Sequence, residues 1–208
     1  MRITIADDHP LMRRGVIDVV HASLPAVEFD EANDAAGLFA KLRVVRPDLV
    51  ILDLSLPDRH GLDCLAEITR RYVGLPVLIL SMHAEHTFGL RALDQGAMGY
   101  LTKDRAVQDI VTAIERIAAG RRYVGLDLAE AVIARRAEGQ VAHHERLSAR
   151  EFRVMCALAR GDSLASIATQ LTLSPKTVTT YRARVLTKLE VHSNAELVRY
   201  CVVHKLID

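Results

Sequence analysis

The sequence predicts an α/β domain built on a parallel sheet, followed by a smaller all-helical domain. Short apolar runs alternate with helix-period stretches through residues 1–120, as βα units require, whereas from residue 147 the pattern is helical only. The charge divides with the pattern. Lys and Arg against Asp and Glu number 13 and 17 over residues 1–120, 5 and 4 over 121–146, and 9 and 5 over 147–208, giving net charges of −4, +1 and +4. A basic carboxy-terminal segment after an acidic one suits contact with nucleic acid.

The predicted strands are 3–6, 27–31, 49–54, 77–81 and 99–101, of which 3–6, 49–54 and 77–81 are mainly apolar. Between and after them the periodicity predicts helices at 11–22, 35–45, 62–72, 85–95 and 107–119. Pro10 marks the start of the first helix and Gly120 the end of the last. In the fifth helix Val107, Ile110, Val111, Ile114 and Ile117 form the stripe expected to face the sheet. Residues 121–146 read as a linker holding one short helix at 126–137, then polar Glu138-Gly139-Gln140 and the pair His143-His144, expected as solvated loop residues. Ser148 with Glu151 forms a capping-box signature opening the helical domain, and Gly161 closes its first helix.

Cys64, Cys156 and Cys201 are widely spaced with no CxxC, which signals neither a disulfide framework nor a zinc site. They are expected as buried small hydrophobes. No window is long and apolar enough for a membrane span, and Asp7-Asp8 interrupts what would be a secretory leader, so a cytoplasmic chain with no membrane partner is expected.

The strand ends carry the chemistry. In an open parallel sheet, ligands bind in the crevice at the carboxyl ends of the strands. Asp7, Asp8 and Asp53 fall at such ends, and so do Ser81 and Lys103. Taken singly, Asp7-Asp8 reads as a helix cap before Pro10, Asp53 as a loop acid, and Lys103 and Ser81 as surface and strand-end groups. Together they point to a hard divalent cation, Mg²⁺, beside a reactive aspartate. A phosphoryl group on Asp53 would add charge for Mg²⁺ and Lys103 to neutralise, and the Ser81 hydroxyl could bond one of its oxygens.

Residues 1–120 resemble a two-component response-regulator receiver domain. The resemblance implies a flavodoxin-like, doubly wound five-stranded sheet, with Asp53 as phosphoacceptor, Asp7 and Asp8 as metal-binding acids, and the Ser55 backbone carbonyl as a further metal ligand. It also implies Ser81 as switch hydroxyl, Lys103 as the phosphoryl-contacting lysine and Tyr100 as the aromatic switch, partly exposed at rest. Two residues depart from the pattern: Met82, in a position usually small, is expected to crowd the phosphoryl site, and Asp104 stands where many relatives have proline.

In the basic segment, Leu164, Ile167, Ala168 and Leu171 line a compact helix, Thr172-Leu173-Ser174-Pro175 makes a turn, and a longer basic helix begins near Lys176. That is a helix-turn-helix, locked by Ile167, Leu173 and Val178. Val178, Tyr181, Val185 and Leu189 take the core spacing of the second helix. The candidate DNA contacts are Lys176, Thr177, Thr179, Thr180, Arg182, Ala183, Arg184 and Lys188, cations for phosphates and small or hydroxylated residues for base edges. Through Leu147-Ser148-x-Arg150-Glu151, Ile167-Ala168, Ser174-Pro175-Lys176-Thr177-Val178 and Lys188-Leu189, residues 147–208 resemble the LuxR-type DNA-binding domain. With the receiver this is similar to the NarL/FixJ architecture, and the run 177–181 to its BvgA/EvgA branch. The resemblance implies a regulator switched by a sensor histidine kinase, acting on double-stranded promoter DNA, with a homodimer and RNA polymerase among its partners. It also implies that the final helix, 194–204, with Leu197, Val198 and Cys201, pairs DNA-binding domains. An enzyme built on Asp7 as nucleophile would need a DxD at the first strand, which Asp7-Asp8-His9 does not supply; a single phosphoryl acceptor, not a turnover enzyme, is expected.

Overall fold

The computed structural model describes residues 1–82, 85–138, 142–204 and 206–207. The expected linker residues Gly139 and Gln140 lie outside them. The chain forms two compact units, Met1–Val132 and Ile133–Asp208, each treated separately below.

In the first unit five strands, β1 (Arg2–Ala6), β2 (Glu28–Ala32), β3 (Leu49–Asp53), β4 (Val77–Ser81) and β5 (Gly99–Thr102), form one all-parallel sheet in the order β2-β1-β3-β4-β5. Five helices alternate with them: α1 (Pro10–Ser23), α2 (Ala35–Val44), α3 (Gly61–Arg71), α4 (Glu85–Asp94) and α5 (Ala106–Ala118). β3 and β4 are buried at every position, which explains their unbroken apolar runs. β2 lies on an edge and is mostly polar, and it starts one residue later than expected. The Val27 N–H is spent on the Leu24 carbonyl at 3.1 Å, so the ladder begins with Glu28.

Alternation along the strands sends two sets of side chains to two faces. Ile3, Ile5, Leu49, Ile51, Leu78, Leu80 and Leu101 pack with α1 and α5. On α5 the buried stripe is Ala106, Ile110, Ala113, Ile114 and Ile117. Val107, expected in that stripe, is 64% exposed. The helix begins one residue earlier than its apolar run suggested, and small Ala106 and Ala113 take the inward positions that a search for large residues passes over.

The segment after α5 is part of this unit. Tyr123 forms a parallel bridge with Gly99, and its N–H and carbonyl pair with the Met98 carbonyl and the Tyr100 N–H at 2.9 and 3.2 Å. Helix α6 (Leu126–Glu138) follows, with Leu128 wholly buried against Gly89 of α4. A Cβ on Gly89 would come within 2.8 Å of both Leu128 methyls, so the absence of a side chain there makes the seat.

The second unit holds a 3-10 turn (His143–Arg146) and helices α7 (Ala149–Ala159), α8 (Leu164–Gln170), α9 (Pro175–Leu189) and α10 (Asn194–Val203). The capping box at Ser148 and Glu151 is complete, and Gly161, at φ +90°, ends α7. The three cysteines are buried and free. His143 and His144 are not on a solvated loop. The His144 Nδ1 lies 3.0 Å from the Tyr200 hydroxyl and its ring packs among Phe152, Tyr200 and His204, partners too far along the chain for local pattern to reveal. Leu197 and Cys201 of α10 are wholly buried in their own core, so the expected pairing surface cannot use them. Val202 and Val203, 56% and 71% exposed, remain on its outside.

Two glycines test the packing in opposite directions. A Cβ on Gly61 would lie 2.3 Å from the Asp53 carbonyl oxygen, whereas one on Gly15, in mid-α1, meets nothing within 4 Å. Gly61→Ala is expected to lower the free energy of unfolding by about 2–3 kcal/mol and Gly15→Ala to raise it by roughly 0.5–1 kcal/mol, both read by urea denaturation.

Candidate functional site

The strand order reverses direction between β1 and β3, and the crevice at their carboxyl ends is where the acids meet. Asp7 follows β1 and Asp53 ends β3, each 1% exposed. Neither Asp7 nor Asp8 caps α1: the cap position is His9, without a side-chain capping bond. Asp7 Oδ1 instead accepts from the N–H of His9, the cap residue, at 2.8 Å, a local bond short of the capping role that sequence proximity to Pro10 suggested.

Lys103, from the loop after β5, reaches both buried carboxylates. Its Nζ lies 2.7 Å from Asp53 Oδ2 and 2.7 Å from Asp7 Oδ2. The Lys103 N–H donates to the Ser81 carbonyl at 2.8 Å, which fixes the start of that loop against the end of β4. Ser81 is wholly buried, one residue beyond Leu80, the register partner of Asp53. The Ser55 N–H donates to Asp53 Oδ1 at 3.1 Å and holds the loop after β3 beside the carboxylate.

Burial pushes the Asp53 carboxyl above its ordinary pKa; the Lys103 bond and the Ser55 N–H pull it down, and Asp7 adds to the rise. Burial also works against the Lys103 ammonium, yet its bonds to Asp53 and Asp7 outweigh that and raise its pKa. Three carboxylates against one ammonium leave two negative charges uncompensated. Asp7, Asp8, His9 and Asp53 each offer a ligand atom, and these atoms all lie within 4.8 Å of one another. A crowded, net-negative set of oxygen donors fits a hard divalent cation.

Three supporting residues escaped the sequence reading. Arg13, 8% exposed, donates from Nη1 to the Asp7 carbonyl at 2.6 Å and from Nε to Glu31 at 3.1 Å, pinning the peptide that carries the acid. His9 Nδ1 stands 2.7 Å from Asp8 Oδ1 and 3.2 Å from Asp7 Oδ1. Asp58 accepts from the Ala35 and Ala36 N–H groups at 2.8 and 2.9 Å, tying the loop after β3 to the start of α2. An arginine one turn inside a helix whose approach holds two acids was the available signal for the first; the other two depend on tertiary placement.

Tyr100 is not the partly exposed aromatic that was expected. It is wholly buried. Its ring lies on the face of β5 opposite Leu101, where α4 packs, and the bridge to Tyr123 covers the edge of that strand. Met82, expected to crowd the site, is 72% exposed.

In the second unit, α8 ends with Thr172 in the left-handed region, φ 53°, and the Leu173 N–H returns to the Ala168 carbonyl at 2.8 Å. Ser174 caps α9 by accepting from the Thr177 N–H, with Pro175 at the first turn. Val178, Val185 and Leu189 face the core. Lys176, Thr179, Thr180, Ala183 and Arg184 are exposed, Thr177 half-buried. Two expected contacts are otherwise engaged. Arg182 Nε donates to Asn194 Oδ1 at 2.9 Å, and Lys188 Nζ bonds Glu151 Oε2 at 2.7 Å. On a 3.6-residue period Arg182 falls near the core side of the helix rather than opposite it. Glu151 is buried, which by itself would raise its pKa, but the bonds from Lys188 and Ser148 bring it below the ordinary value.

Residues 3–115 match the response regulator receiver domain, and residues 145–201 the luxR family of bacterial regulatory proteins. The chain belongs to the response regulators. This response regulator is 30% identical to UvrY of Escherichia coli K12, covering 100% of this chain and 96% of that one. It is likewise 30% identical to GacA of Pseudomonas aeruginosa, covering 100% and 98%. RcsB from Salmonella enterica serovar Typhimurium, bound to the promoter P1flhDC in the presence of phosphomimetic BeF3-, is similar over 96% of this chain and 97% of its own, with a TM-score of 0.70 and 25% identity. Among the described residues of this response regulator, no helix is long and apolar enough to cross a membrane.

The electrostatics give two expected outcomes. Because the raised pKa means that the fold disfavours ionised Asp53, Asp53→Asn is expected to raise the metal-free Tm at neutral pH by a few degrees, on the order of 1 kcal/mol. Added Mg²⁺ should stabilise the wild type more than the variant. Lys188→Ala leaves Glu151 without its cation and is expected to cost roughly 1–2 kcal/mol, allowing for the half-exposed lysine. The depressed Glu151 pKa supplies stability above its unfolded value that is lost as pH falls through the folded one, so the gap between wild type and variant should close in acid, measured by thermal melts across pH.

Proposed function

We propose that this response regulator accepts a phosphoryl group on Asp53 from a sensor histidine kinase, and that the modification governs binding of α9 to promoter DNA. The observation that carries the reading is the buried Asp53, bonded to Lys103 and ringed by Asp7 and Asp8 at the sheet's carboxyl edge, on the same chain as a helix-turn-helix.

Asp7, Asp8, Asp53 and the Ser55 backbone carbonyl are the groups that would hold Mg²⁺. When bound, the ion would offset charge on the phosphoryl oxygens. An Asp53 oxygen forms the bond to phosphorus as the bond to the donor nitrogen breaks. Lys103, already between Asp53 and Asp7, shifts its ammonium toward the new phosphoryl oxygens. Arg13 and the Ser55 N–H keep the peptide of one acid and the carboxylate of the other in place. Ser81 bonds a phosphoryl oxygen, and Tyr100 packs in the buried position it already occupies, the arrangement that modification favours. The chain takes one phosphoryl group per cycle and is not a multiple-turnover enzyme.

On the output side, Lys176, Thr177, Thr179, Thr180, Ala183 and Arg184 face DNA, and Arg182 and Lys188 steady the helix. The complexes of RcsB with promoter DNA and as dimers support double-stranded DNA as ligand and a homodimer as the binding form. The protein works in the cytoplasm, where RNA polymerase is the partner its promoter sites place beside it.

Acetyl phosphate is expected to label the wild type with acid-stable, base-labile or hydroxylamine-labile phosphate, and Asp53→Asn to abolish the label; persistence would sink the site assignment. Lys176→Ala with Arg184→Ala is expected to weaken DNA binding and to flatten the slope of log affinity against log salt by about 2 per protomer, about 4 for the bound dimer, one for each phosphate contact removed. An unchanged slope would exclude this face.

A further inference from the structure

The outward face of α9, opposite Val178, Val185 and Leu189, is set by Lys176, Thr180, Ala183 and Thr187, all exposed. A threonine hydroxyl has one proton to donate. Thr179, Thr180 and Thr187 each give it to the carbonyl four residues earlier, at 3.0, 3.1 and 3.0 Å. Hydroxyls engaged in this way have no proton left for the N7 and O6 of guanine, the N7 of adenine or the O4 of thymine. The helix, PKTVTTYRARVLTKL, also contains no Asn, Gln, Asp, Glu or His, the side chains that pair with adenine or cytosine edges. Arg182 is bonded to Asn194. At the centre of the face the groups left to meet a base are the Thr180 and Ala183 methyls, beside hydroxyls that can still accept a hydrogen bond but not donate one.

Resting on the DNA-binding reading above, we propose that this regulator reads thymine through the C5-methyl group, with Thr180 and Ala183 supplying the apolar contact and Lys176 and Arg184 the flanking charge. Methyl contact leaves the helix's own hydroxyl bonds in place, whereas donation from a hydroxyl to a base would have to break them. Ala183 brings the backbone close enough for a neighbouring methyl to touch.

The test replaces thymine by deoxyuridine, which removes that methyl and nothing else. The full chain, treated with acetyl phosphate, selects duplexes from a randomised library, and affinity for the selected duplex is measured by fluorescence anisotropy as each thymine is replaced in turn. One or two positions in each half-site should lose about fourfold in affinity, the worth of one buried carbon. Thr180→Val should keep this sensitivity at its position and Thr180→Ser should lose it. Uracil tolerated at every position overturns the proposal, as does Thr180→Ser retaining affinity and sensitivity while Thr180→Val loses binding, because the hydroxyl would then carry the contact. Enrichment of no duplex would overturn the DNA-binding reading and this proposal with it.

Discussion

The bridge from Lys103 to Asp53 and Asp7 is the interaction on which the first unit's function depends. Two carboxylates that are each 1% exposed cannot both stay ionised at short range without a cation, and a single ammonium 2.7 Å from each is the one the fold supplies. It is incomplete compensation. Burial, with a smaller contribution from Asp7, holds the Asp53 pKa above its ordinary value, a cost that a further cation beside the carboxylates would offset. A site neutralised fully within the chain would be more stable and would have less reason to bind one.

The surroundings hold the acids by their backbone as well as by their carboxylates, which Lys103 and the Ser55 N–H engage. Arg13 bonds the Asp7 carbonyl, the Asp7 N–H bonds the Ala32 carbonyl at 3.1 Å, and Asp58 anchors the loop after β3 to α2. These backbone ties define where the carboxylates sit without using their oxygens. On the far side of the sheet's edge the same economy operates through glycine. Gly99 admits the Tyr123 carbonyl along β5, and Gly89 admits Leu128 into α4, so the start of α6 is built into the helix and strand that follow Ser81 and carry Tyr100. A change in the packing of either element changes the seat of α6 directly.

Much of this was legible in the sequence because it repeats with short periods. The five strands, their helices and the cluster of Asp7, Asp8, Asp53, Ser81 and Lys103 follow from apolar runs and from what stands at their ends. Buried Tyr100, the paired His144 and engaged Arg182 were not legible, because each depends on a group remote in sequence: α4 and Tyr123 for the first, Tyr200 for the second, Asn194 for the third. Val107 failed for another reason. A periodic stripe was weighted by residue size, while the close packing of α5 on the sheet uses Ala106 and Ala113.

In α9 the distinction between charge carried and charge available decides what the helix can recognise. Lys188 belongs to the buried Glu151, whose capping bond to the Ser148 N–H starts α7, so it ties the end of the recognition helix to the start of the helix packed against it. Arg182 does the same toward α10. Both cations are therefore orienting devices, and the outward face is left to Thr180 and Ala183 with Lys176 and Arg184 beside them. A helix fixed at its sides by its own cations and bare of amide side chains at its centre has little capacity to adapt to different base edges. Its selectivity must come from shape and methyl contact more than from a hydrogen-bond code.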